Sequence, residues 1–349
     1  MSVATRSAGE DGSYLLPFGQ TRFKERPVAL LTMPRLAVIR GLQLLSYDFP
    51  DGHPLKSDRV KMFWRMLEEW EGELGQSIVF VEPVLAADEQ LQLFHESDYL
   101  GFVQLMCNKG EGLLDYGDTP AFKGCYEAAA YCVGSTLKAV DVVLSGQVDH
   151  SFNPVGGFHH ARRSAAAGFC IFNDAGVAIE YLLRVKGISP VAYVDMDAHH
   201  GDGVCYEFYD NKELIFMDIH QDGRSLYPGS GFAYETGEGE AVGTKLNIPL
   251  PSGSGDPEFK KAFEMALRFL NQFSPRFILF QCGADGLEGD PLTGLRYSEE
   301  AHRFAATLLH ETSHRLCEGR LVALGGGGYS PDRTARAWLQ VTRALLRAP

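Results

Sequence analysis

Tyr193-Val-Asp-Met-Asp-Ala-His-His-Gly-Asp-Gly203 is the stretch around which the rest of the chain can be read. Pro190 to Asp195 is a short apolar run ending in acid, the pattern of a buried strand. Side chains alternate in an extended segment, so Asp195, Asp197 and His199 are expected on one side. Three ionisable groups beyond a buried strand end are costly unless something positive sits among them. Oxygen and imidazole donors two residues apart suit a divalent metal such as zinc. A lone Asp-x-Asp reads more simply as a strand running into a polar turn; two further His and Asp clusters favour the metal.

Working outward, short apolar runs at 28–32, 77–81, 150–153, 190–195, 214–219, 245–248, 276–282 and 320–324 read as strands. Between them lie amphipathic stretches. Ser57 can cap a helix carrying Val60, Phe63, Trp64 and Leu67 on one face, and Thr119-Pro120 is expected to start a long helix ending near 145. Asn173 or Asp174 caps a helix that stops at Gly187. Further helices are expected over 256–273 and 298–317 and from about 331. From about residue 148 the strict alternation predicts an α/β fold, a single open, mostly parallel sheet with helices on both faces. Residues 1–26 read as a flexible N-terminal arm and 27–349 as a single domain without linker or repeat.

The 349 residues carry a formal net charge of −13, which argues against binding nucleic-acid backbone or an anionic membrane and favours a cationic substrate. The seven cysteines are scattered and lack a Cys-x-x-Cys pair, fitting buried thiols better than a disulfide framework. No apolar run approaches the roughly 18 residues of a spanning helix. A cytoplasmic protein is expected.

Ligands of open α/β sheets bind beyond the carboxyl ends of the strands. Behind successive expected strands stand His159-His160, then Asp197 and His199, His220, Asp285, and Tyr329. His159 and His160, preceded by Gly156-Gly157, could serve as general base and general acid, with Asp195 and Asp202 as the carboxylates that fix their tautomers. Asp285 is the third metal ligand beside Asp197 and His199, a set that leaves positions open for water and substrate. The run Gly325 to Gly328 lacks the Lys and Ser/Thr of a phosphate loop. It lets the chain pass close to the site and places Tyr329 there as a donor to a developing oxyanion. His95 reads as a satisfied partner at a helix end.

Together Gly156-Gly-Phe-His-His-Ala161, Gly168-Phe-Cys-Ile-Phe-Asn-Asp174, Asp195-Met-Asp-Ala-His-His-Gly-Asp-Gly203, Gly283-Ala-Asp285 and Leu324-Gly-Gly-Gly-Gly-Tyr329 resemble the histone deacetylase family of the arginase/deacetylase fold. The likeness runs from about Tyr47 to the C-terminus and is nearest the class I type and its bacterial homologues. The resemblance implies one catalytic Zn2+ on Asp197, His199 and Asp285, tandem His159 and His160 paired with Asp195 and Asp202 respectively, and Tyr329 as transition-state tyrosine. It also implies an acyl-lysine tunnel walled by Phe169 and Tyr227, with Gly168 at its side, Leu292 near its mouth and Asp118 on the rim holding substrate backbone. Arg59 is aligned with the arginine of an internal acetate pocket. A structural K+ is implied near the zinc, held largely by backbone carbonyls of Asp195, Asp197 and His199. The chain departs from the family in having Tyr227 for the usual Phe, Asp218 for a Ser, and Phe158 for a Trp or Met.

The expected function is thus zinc-dependent removal of acyl groups from lysine in a protein or peptide, with an oligomeric state that the sequence leaves open. Its nearest rival is an acetylpolyamine amidohydrolase. A ureohydrolase of the same fold would need a two-manganese cluster with more aspartates. A non-catalytic binding relative would have lost a ligand or the tyrosine, and none is lost.

Overall fold

The computed structural model describes residues 36–74 and 77–346. The expected arm over 1–26 and the strand at 28–32 lie outside these residues. The described strands are β1 (Leu36–Ile39), β2 (Ile78–Val81), β3 (His150–Asn153), β4 (Val191–Asp195), β5 (Leu214–Gln221), β6 (Lys245–Leu250), β7 (Phe277–Gln281) and β8 (Leu321–Leu324). The helices are α1 (Asp58–Leu74), α2 (Asp88–Leu91), α3 (Ser97–Lys109), α4 (Cys125–Leu144), α5 (Asp174–Glu180), α6 (Asp202–Glu207), α7 (Asp256–Leu270), α8 (Glu299–Cys317) and α9 (Pro331–Leu345).

The strands form one sheet in the order β2-β1-β3-β8-β7-β4-β5-β6, and every pairing is parallel. Each residue of β1, β3, β4, β5, β7 and β8 is buried, because helices cover both faces. The alternation along β3 shows the two layers. Ser151 Oγ donates to the Ala139 carbonyl and Asn153 Nδ2 to the Cys132 carbonyl, both on α4. His150 instead meets His310 of α8, and Phe152 packs edge-on against Trp338 of α9. One layer is α1, α7, α8 and α9; the other is built on α4, with α2, α3 and α5 against it and α6 beyond α5.

The long helix expected from Pro120 starts instead at Cys125, after Gly124 in the left-handed region (φ 84°). The reason is a stronger local alternative. The Asp115 carboxylate accepts the N–H groups of Gly117, Asp118 and Thr119, and Leu114 N–H reaches the Thr119 carbonyl. Residues 113–120 therefore close as a loop that reaches the site. His220, expected beyond a strand end, lies within β5, which runs two residues further than its apolar stretch. All seven cysteines are free and buried. Among the described residues no helix is long and apolar enough to cross a membrane.

Candidate active site

β4 ends at Asp195, and the next residues leave the extended conformation, so the expected alternation carries only that far. Asp195 Oδ2 faces His159 Nδ1 at 2.8 Å and accepts the Tyr193 hydroxyl at 2.9 Å. Asp197 and His199 turn away toward Asp285, which follows β7. His199 Nδ1 lies 3.1 Å from Asp197 Oδ1 and 2.9 Å from Asp285 Oδ2. One ligand atom from each of the three lies within 4.8 Å of the others, and all three residues are buried.

The outer oxygen of each carboxylate is already engaged. Asp197 Oδ2 accepts from Gln281 Nε2 and Gly327 N–H, both at 2.8 Å, and Asp285 Oδ1 accepts Ala198 N–H at 2.8 Å. The inner oxygens are thereby aimed at one point beside His199. A Cβ on Gly327 would lie 2.4 Å from Asp285 Oδ2, so the close passage of the glycine run is required by the cluster itself. Burial favours the uncharged forms, raising Asp285 and working against a charged His199. The two carboxylates overcome this at His199 and hold its imidazole well above the ordinary range. The cluster thus draws positive charge into its centre. Two carboxylates and one imidazole with preset orientation fit a borderline divalent cation such as zinc, with positions left over.

The loop after β3 carries the tandem histidines. Asp174, at the start of α5, accepts the N–H groups of Gly157 and Phe158 at 2.8–3.0 Å and the Thr136 hydroxyl at 2.6 Å. Asn173 Nδ2 holds the Ala161 carbonyl at 2.9 Å, and Asn173 N–H is in turn accepted by His95 Nε2 at 2.9 Å. Burial pushes His95 down to about 3, which keeps that nitrogen free to accept. Phe158 stacks on Tyr47 with ring centroids 4.3 Å apart.

His160 Nδ1 is 2.7 Å from Asp202 Oδ1, and the Nε2 atoms of His159 and His160 are 3.1 Å apart. Burial disfavours charge on either ring, but Asp195 and Asp197 raise His159 well above the usual range. Burial and the adjoining His159 push His160 down to about 4. Arg162 donates to the other Asp202 oxygen at 2.7 Å and to its carbonyl at 2.9 Å. Against its burial, Asp202 is kept below the usual carboxylate range by His160 and Arg162.

A cavity of about 210 Å³ opens above the cluster, smaller than the roughly 300–1,000 Å³ that drug-sized ligands occupy. Its floor is His160, His199 and Tyr329; its walls are Gly168, Phe169 and Tyr227, with Asp118 and Leu292 also lining it. Tyr227 and Leu292 are 45% and 38% exposed, which places them at the mouth. The Phe169 ring meets Tyr329 edge-on at 5.8 Å, and Tyr227 meets His160 at 5.1 Å. Gly168 (φ 54°) runs so close to His160 that a Cβ would sit 2.4 Å from its Cδ2. Partial burial and Asp115 push the rim residue Asp118 up to about 6. A smaller space of about 20 Å³ beneath the floor is lined by His159, Asp197 and Gly327, among others.

Arg59 is buried behind the glycine run, donating to the Gly326 and Gly328 carbonyls at 2.9 and 3.1 Å, and lines neither space. Each Asp218 oxygen has a protein partner: one faces His220 Nδ1 at 2.7 Å and the other accepts Gly201 N–H at 2.8 Å. Three supporting residues escaped the sequence reading. Gln281 and Arg162 are described above. Asp290 accepts the N–H groups of both Tyr329 and Leu292 at 2.9 Å. Only Asp290 carried a readable signal, as an Asp-Pro turn.

Comparison with known proteins gives a consistent result. Residues 53–345 match the family profile described as histone deacetylase domain. The acetoin utilization protein AcuC of Bacillus subtilis is 40% identical over 309 residues, covering 85% of this chain and 79% of that protein. A probable deacetylase of Archaeoglobus fulgidus is 32% identical, covering 83% and 80%. Among solved structures, the HD domain of HDA15 superposes with a TM-score of 0.82 at 26% identity, covering 90% of this chain and 88% of that one. A histone deacetylase homologue complexed with SAHA gives 0.79 at 34% identity, covering 91% and 86%.

Proposed function

The chain belongs to the histone deacetylase family and is a hydrolase of that kind, and from this premise we propose that it removes acyl groups from lysine side chains using one catalytic zinc. The observation that carries the proposal is the meeting of Asp197, His199 and Asp285 at the foot of a narrow cavity whose floor also holds His160 and Tyr329. A zinc ion on those three residues supplies Lewis acidity toward an amide carbonyl and a lowered pKa for water.

The remaining steps belong to the protein's own groups. Asp202 fixes the His160 ring with Nε2 toward the cavity. Neutral at the outset, His160 takes the proton from the attacking water and returns it to the leaving amine. His159, held as a cation by Asp195, adds positive charge beside the reacting carbon. Tyr329 is kept protonated by burial and by Asp285 and Asp197, and donates to the oxygen as it becomes an oxyanion. Phe169 and Tyr227 form an apolar sleeve for a lysine stem, Gly168 leaves room beside it, and Leu292 borders the entrance. Asp118, on the rim, accepts from peptide N–H groups of the substrate. A K+ is proposed on the backbone carbonyls of Asp195, Asp197 and His199, without the side chain of Asp218, whose oxygens are both engaged.

The rival substrate class, acetylated polyamines, is favoured by the net charge of −13 and the acidic rim pair Asp115 and Asp118. The test is kcat/KM on acetyl-lysine peptides against acetylputrescine and acetylspermidine. Preference for the peptides is expected; near-inert peptides beside good polyamine turnover would transfer the protein to the rival class. Separately, Asp285→Ala should lose one metal equivalent together with activity, and an Asp285→Ala enzyme that stays active would remove the proposed ligand set.

A further inference from the structure

At the other end of the strands lies a group of imidazoles for which the chemistry above has no use. His150 opens β3, three strand positions before the end that leads to His159 and His160, and its side chain faces α8. There His310 and His314, one helical turn apart, present their rings to it. His150 Nε2 is 2.8 Å from His310 Nδ1, and the three ring centroids lie 4.6, 5.0 and 5.1 Å apart. One nitrogen from each ring lies within 4.8 Å of the other two. His150 and His310 are buried. His314 is partly exposed, yet its Nε2 is buried with no hydrogen-bond partner among the described residues. Gly319 presses on this ring from the other side, closely enough that a Cβ would lie 2.8 Å from His314 Cε1.

Burial and the two neighbouring rings push His150 down to about 3, so its ring offers a neutral nitrogen donor. A hydrogen bond between His150 and His310 accounts for two of the rings and leaves the third without a role. Two histidines at i and i+4 of a helix with a third from a strand are a donor set suited to zinc, water completing the tetrahedron from the partly exposed side. Zn–N bonds of about 2.0–2.1 Å place tetrahedral ligand nitrogens about 3.3 Å apart. The His150–His310 pair stands at 2.8 Å and all three nitrogens lie within 4.8 Å of one another, so side-chain adjustment suffices.

We propose that His150, His310 and His314 form a second, structural site for a zinc-class divalent metal, which clamps the start of β3 to α8. It stands independently of the catalytic reading. The test is elemental analysis of zinc-loaded, dialysed protein. Wild type should hold two equivalents, Asp285→Ala one, His314→Gln one, and the double variant none. The partly exposed His314 should tolerate the change to Gln. Zinc-edge absorption of Asp285→Ala should also show three imidazoles, a measurement that needs no second variant. Wild type holding one equivalent that Asp285→Ala loses would overturn the clamp, as would an Asp285→Ala/His314→Gln protein that keeps its metal. Wild type with one equivalent lost only through His314→Gln would instead overturn the catalytic ligand set and leave the clamp standing.

Discussion

In the proposed mechanism Tyr329 and Arg162 serve the same reaction by different routes, and single substitutions separate them. Tyr329→Phe removes one hydroxyl from the cavity floor and leaves Asp197, His199 and Asp285 in place. Loss of one oxyanion donor costs on the order of 100- to 1,000-fold in kcat. The variant should therefore keep its metal and thermal stability while turnover falls by that factor, as measured by elemental analysis beside steady-state rates. Near-normal turnover would mean that the tyrosine does not touch the developing charge. Arg162 never reaches the substrate cavity; it shares Asp202 with His160. Removing the guanidinium leaves Asp202 free to favour an imidazolium at His160, so the pKa of that ring should rise. Since the proposed mechanism starts from a neutral His160, the acidic limb of the kcat/KM profile in Arg162→Gln should move to higher pH. An unmoved limb with merely lowered activity would assign Arg162 a structural part only.

At the scale of elements, the loop over 113–120 brings Asp118 to the cavity, and the proposed function gives it a part in holding substrate. Asp115 organises it through three backbone N–H groups and the Thr119 hydroxyl, and that hydroxyl accepts Phe169 N–H at 3.1 Å. The rim and a tunnel wall are thus one hydrogen-bonded unit. Asp118→Ala should raise KM for acetyl-lysine peptides many-fold and barely change turnover of an acetyl-lysine analogue without flanking peptide bonds. Equal losses on both would place Asp118 outside substrate recognition. This loop is also where the sequence misled, because Thr119-Pro120 carries a good helix-start signal and only the Asp115 network diverts it. The strand positions are more legible. Runs such as Phe277-Ile-Leu-Phe280 are apolar at every position because both faces are covered, and each site cluster stood just behind such a run. β1 went unread, since Leu36-Ala-Val-Ile39 is four residues long and follows another apolar run at 28–32. Gln281 and Arg162 went unread because neither residue type at its position signals a task; their importance lies in partners 84 and 40 positions away.

Across the described residues, His95, His200 and His302 are buried with backbone groups or a hydroxyl, not a carboxylate, as their hydrogen-bond partners. Burial pushes His95 down to about 3, and His200 and His302 down to about 4, from an ordinary 6.5. Between those values and 6.5 the unfolded chain binds more protons than the folded one. Their contribution is therefore complete above pH 6.5 and declines as pH falls toward the folded values, by up to about 1.4 kcal/mol per unit for each ring. Tm should fall steadily from pH 6.5 to 4. Scans on Asp285→Ala separate this from loss of the catalytic metal, and a flat Tm over that window would show that these rings are not desolvated in solution.

The sheet order also dictates what an unfinished chain can do. β8 is the last of the described strands to be made, yet it sits between β3 and β7, both made before it. Without it, nothing pairs the strands β2-β1-β3 with β7-β4-β5-β6. The same late segment brings the glycine run that presses against Asp197 and Asp285, and then Tyr329. A chain that stops short of β8 thus lacks the joined sheet and Tyr329 together. Because Tyr329 is made after every described strand, a chain that stops before it should show no turnover under the proposed mechanism.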